Sequence, residues 1–191
     1  ASVATLGCPP TAKPETVVRQ TYFMKRLFIL IIFLLSLLSQ TVYSQSTEEV
    51  KNYIDTIIVN SKVDLTDLTA LELLNDLYEE TLQSDSGIIS QNTTLRIEDF
   101  LKNKNSKNTH LLIMVLAYQD YIVHCAMTRT PPDTKFQVYL ISKTETEISK
   151  VYTRTPAVIF IYKAEALNSD SQFENAKGVV KDGLKAYPNS V

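Results

Sequence analysis

Leu111-Leu-Ile-Met-Val-Leu-Ala-Tyr-Gln-Asp-Tyr-Ile-Val-His-Cys-Ala-Met127 is nearly all apolar, with Gln119, Asp120 and His124 as its main exceptions. A helix that is apolar on most sides must be buried on most sides, so this run is the expected centre of the fold. Pro131-Pro132-Asp133 ends it, because proline cannot continue a helical ladder.

Amphipathic segments surround this centre. Residues 64–83 set Leu65, Leu68, Leu71, Leu74, Leu77, Tyr78 and Leu82 on one helical face, opposite Asp67, Glu72, Asp76, Glu79 and Glu80. Before it, Val50, Tyr53, Ile54, Ile57 and Ile58 recur at three- and four-residue spacing. That helix opens at Ser46-Thr47-Glu48-Glu49, which supplies capping oxygens and favourable negative charge. Ile97, Phe100 and Leu101 indicate a short helix from about Thr94, followed by a polar loop over residues 103–108.

Residues 134–153 fit two patterns. Phe136-Gln-Val-Tyr-Leu-Ile141 and Ile148-Ser-Lys-Val-Tyr152 are rich in β-branched and aromatic residues and could pair as a β-hairpin. Phe136, Tyr139, Leu140, Ile148, Val151 and Tyr152 also share a helical face, and helix is the preferred reading. The expected fold class is therefore all-α, a stack of antiparallel helices.

Met24-Lys25-Arg26, the twelve-residue run Leu27-Phe-Ile-Leu-Ile-Ile-Phe-Leu-Leu-Ser-Leu-Leu38 and a polar stretch over residues 39–45 have the order of a secretory signal peptide. Val42 and Ser44 occupy the positions a signal peptidase reads, which places cleavage after Ser44. A permanent anchor over residues 27–38 is the alternative, but a spanning helix needs roughly 20 apolar residues. The expectation is an exported chain, periplasmic or extracellular, with no stable membrane insertion after cleavage. Residues 1–23 hold three of the seven prolines and no apolar periodicity, and read as a non-native or read-through segment. The chain also reads as truncated after the turn signal near Val191.

Residues 45–191 suffice for a domain with a real core. They contain 15 basic and 20 acidic residues, a net charge of −5, with no basic stripe of the kind nucleic-acid binding needs. Cys125 is the one cysteine in that span, so an internal disulfide is excluded and core burial must hold the domain together. Its three glycines argue against glycine-rich phosphate loops. The span divides into an N-terminal helical region, 45–130, and a C-terminal one, 131–191.

Within that C-terminal region, residues 156–168 read as a helix with proline in its first turn, residues 171–187 as a second, and Pro188-Asn189-Ser190 as a turn. On a 34-residue frame from Ala157, Phe160 fills the first large apolar position, Ala164 the first small one and Leu167 the next large one. Ala176 opens the second helix with a small residue. Val180, Gly183 and Pro188 follow at the aromatic, second small and closing proline positions. This pattern resembles a tetratricopeptide repeat, with departures at Lys163, where leucine is expected, and at Val180. The resemblance implies an α-solenoid fragment that binds a protein or peptide partner.

No Walker loop, zinc-protease helix, serine-hydrolase elbow or paired-cysteine metal motif occurs, so no catalytic, metal or cofactor site is expected. His110 reads as a polar helix end, and Glu79-Glu80, Glu145 and Glu147 read as solvated surface. Asp120 and His124, four residues apart on one helical face, form the one pair with acid–base grammar. They carry the alternative, an exported enzyme or small-ligand protein of mixed α/β fold with a pocket beside them.

Overall fold

The computed structural model describes residues 47–84 and 87–188, and within them every regular element is helical. In chain order these are α1 (Thr47–Asn60), α2 (Thr69–Tyr78) with a π-helical turn over Glu79–Gln83, and α3 (Gln91–Lys102). Then follow α4 (Thr109–Thr128), α5 (Thr134–Val151), α6 (Ala157–Ser169) and α7 (Phe173–Ala186). The fold is all-α. The hairpin alternative for residues 134–153 does not form: α5 runs through both candidate strands and buries Phe136, Leu140, Ile141, Ile148 and Val151.

Local chemistry sets the helix ends. The Ser90 side chain accepts the Thr93 N–H at 3.1 Å and starts α3. Asp133 does the same for Phe136 at 3.1 Å, so the residue that follows the two prolines is also the cap of α5. Arg129, with φ of 55°, turns α4 off in left-handed backbone and returns its N–H to the Cys125 carbonyl.

The apolar pattern over residues 64–83 extends further toward the N-terminus than the helix it predicts. Asp64 Oδ1 accepts from both the backbone and the hydroxyl of Thr66, and Asp67 Oδ1 accepts from Thr69 N–H. These local bonds compete with helical ones. Asn108 then takes the Asp64 and Asp67 carbonyls, at 2.7 and 3.1 Å. Leu65 and Leu68 are left exposed in consequence.

One core cluster links the two halves, running from Ile54 and the leucines of α2 through α4 to Val158, Ile159 and Ala166 of α6. In α4, Leu111, Leu112, Met114 and Val115 are fully buried. Its second half is less enclosed: Tyr121, Ile122, Val123 and His124 are half-buried, and Met127 is exposed. The expectation of burial on most sides thus holds for the first half of α4 only.

His110, in the first turn of α4, is 2% exposed, and its Nδ1 has no hydrogen-bond partner among the described residues. Burial holds its imidazole below the ordinary 6.5, against the pull of Glu147 and with the help of Lys150. The unfolded chain therefore binds this proton more readily than the folded one. Stability is full above the unfolded value of 6.5 and falls as pH drops toward the lowered folded value. Thermal midpoints of the wild type and His110→Leu should diverge from about pH 7.5 to about pH 5.5, with the wild type losing more. A constant difference would remove His110 from the account.

Candidate functional site

The α6–α7 pair gathers most of the repeat-like positions. Its connection turns at Ser171, with φ of 61°, and the Gln172 N–H closes on the Leu167 carbonyl at 2.8 Å. A turn this short lays the helices side by side and antiparallel. Leu167 and Ala176 are buried. Gly183 faces Phe160 so closely that a Cβ at 183 would sit 3.1 Å from the Phe160 Cβ and 3.3 Å from its Cγ. Here the missing side chain is what lets the two helices approach.

Beside that contact lies a cavity of about 160 Å³. Ala157, Phe160, Ile161 and Ala164 of α6 form one wall, and Val180, Gly183 and Leu184 of α7 the other. Tyr187 closes one end. Its hydroxyl donates to the Thr155 carbonyl at 2.8 Å, and Phe160 meets its ring edge-on at 6.3 Å. The Arg154 guanidinium stacks on the same ring, 4.0 Å from its centroid, and donates to the Ala186 carbonyl at 3.0 Å. That bond satisfies one of the last acceptors of α7. From α2, Tyr78 also reaches the cavity, its hydroxyl accepting from Gln83 Nε2 at 2.7 Å. Pro188 follows in an exposed turn.

Leu184 and Tyr187 follow Val180 at helical spacing and were legible in the sequence as part of the same face. Tyr78, more than a hundred residues earlier than Val180, had no local signal. The departure at Lys163 has a structural partner: its ammonium pairs with Glu145 of α5 at 2.5 Å, both side chains half-buried. Glu145 is therefore not the free surface carboxylate its sequence context suggests. Glu147 is buried outright and paired with Lys150 at 2.7 Å.

Asp120 and His124 lie on the less enclosed half of α4, and neither lines this cavity. Burial raises the Asp120 carboxyl above its ordinary value, and the nearby His124 pulls it back only in part. No group of three or more His, Cys, Asp or Glu side chains converges on a metal-sized space among the described residues. The signal-peptidase positions Val42 and Ser44 lie outside the described residues. Comparisons of the chain with protein-family profiles, with curated proteins and with solved structures find no match.

Proposed function

We propose that the chain is an exported helical-repeat protein, periplasmic or extracellular, that acts as a binding scaffold for a peptide or partner protein and performs no catalysis. The observation that carries this reading is the apolar α6–α7 groove, bordered by the exposed Val180 and Leu184 of α7, with the exposed Phe173 further along the same helix. Contiguous exposed apolar surface of this kind marks interaction sites in stable proteins. Its small residue Ala164 lets an incoming side chain approach the backbone of α6 closely. At about 160 Å³ the cavity is smaller than the roughly 300–1,000 Å³ of small-molecule sites. It fits one anchoring side chain better than a whole ligand.

Selection of displayed random dodecapeptides on the immobilised chain tests this. Enriched peptides should bind the wild type and His124→Ala alike, and lose binding to Leu184→Asp. Failure to enrich any peptide over a Leu184→Asp control would overturn the scaffold reading. Peptides whose binding depends on His124 and not on Leu184 would move the site to the Asp120/His124 face.

A further inference from the structure

Phe173, Val180 and Leu184 are 55%, 48% and 53% exposed. At about 100° per residue they fall within about 40° of one another around α7, one stripe of which Val180 and Leu184 line the groove. Lys177, Lys181 and Lys185 follow on the flank that faces away from α6. Lys177 is held by Glu174 at 2.6 Å, while Lys181 and Lys185 form no ion pair among the described residues. Across the groove, Glu165 follows Ile161 on α6.

We propose that this groove receives an amphipathic helix of a partner protein whose flank over α7 is acidic. The proposal rests on the scaffold reading above and specifies its partner. Two observations select a helix. No strand exists among the described residues to offer an edge for an extended peptide. The groove also lies between two helices brought close at Gly183, a shape that takes the apolar ridge of a third helix. Charge selects the flank, since Lys181 and Lys185 attract carboxylates along the α7 side and Glu165 disfavours them on the α6 side. A second copy is a poorer occupant. Laid antiparallel on the stripe about a twofold axis, it brings its own lysine row against this one.

The test uses synthetic 18-residue peptides and the full chain. One peptide carries leucines at i, i+4, i+7 and i+11 with glutamates along one flank. A second replaces those glutamates by lysines, and a third inserts a central proline into the acidic one. The acidic helix should bind about tenfold tighter than the basic one at low salt, with the gap closing as salt rises. Lys181→Glu with Lys185→Glu should reverse that preference, and Leu184→Asp should abolish binding of both. All three substituted positions are exposed, so circular dichroism should remain unchanged.

Equal binding of acidic and basic helices would overturn the charge assignment, and equal binding of the proline peptide would overturn the helix. If none of the three binds while selected dodecapeptides still do, the scaffold reading stands and this partner falls. If neither set binds, both fall. Concentration-dependent self-association that Leu184→Asp abolishes would make a second copy the occupant, and the proposal would fail.

Discussion

Asn108→Ala should lower the unfolding free energy by about 2–4 kcal/mol in urea denaturation, because it takes the partner from the part-buried Asp64 N–H and carbonyl at once. Asn108 is 0% exposed and sits between α3 and α4 with φ of 57°. Its Oδ1 accepts the Asp64 N–H at 3.0 Å, and its Nδ2 donates to the carbonyls of Asp64 and Asp67. The Tyr152 hydroxyl, 3.3 Å away, donates in turn to the Asp67 carbonyl at 2.9 Å. One side chain thus ties the segment before α2 to the start of α4 and the end of α5. Alanine keeps both backbone bonds of residue 108, its N–H to the Lys62 carbonyl and the Leu111 N–H to its own carbonyl, but loses every side-chain bond. It also sits in left-handed backbone, which costs a residue with a Cβ about 1–2 kcal/mol. Asn108→Gly removes that second cost and not the first, so its loss should be smaller than that of alanine. Equal losses for the two variants, or a loss below about 0.5 kcal/mol for alanine, would show that the tie contributes little.

Leu112→Ala should cost about 2–5 kcal/mol in the same measurement, with Leu112→Met staying within about 1.5 kcal/mol. Leu112 is fully buried in the first half of α4 and belongs to the core cluster that runs from α1 to α6. Truncation there removes apolar burial and leaves a cavity that neighbours on several helices cannot all collapse to fill. Methionine keeps the volume and bends to fit. Met127→Ala, at the exposed end of the same helix, should change stability by less than about 0.5 kcal/mol. Comparable losses at Leu112 and Met127 would contradict the division of α4 into an enclosed and an open half.

Much of the helical layout was legible because it depends on neighbours in the chain. The apolar run over residues 111–127 had to be buried somewhere, and its helix spans Thr109–Thr128. Helix and hairpin competed over residues 134–153. The β-branched and aromatic content favoured strands, but residues 136, 140, 141, 148 and 151 present a single face only at helical period, and that face is the one buried. The early start read for α2 failed for a different reason. Leu65 and Leu68 keep the period of the leucine face, yet Asp64 and Asp67 bond locally and Asn108, some forty residues on, takes their carbonyls. No window around residue 64 contains that partner.

Sequence alone determined most of the helices, the central place of α4, and the α6–α7 unit with its alternation of large and small residues, all consequences of side-chain period and local capping. It favoured helix over hairpin for residues 134–153 without closing the choice. Tertiary structure decided what those elements make together. It placed Tyr78 at the α6–α7 groove, paired Lys163 with Glu145 and buried Glu147 and His110. It also left Phe173, Val180 and Leu184 uncovered. The physical reason is one of range. Periodicity reports which face of a helix is apolar, whereas which neighbour covers that face depends on contacts between residues far apart in the chain.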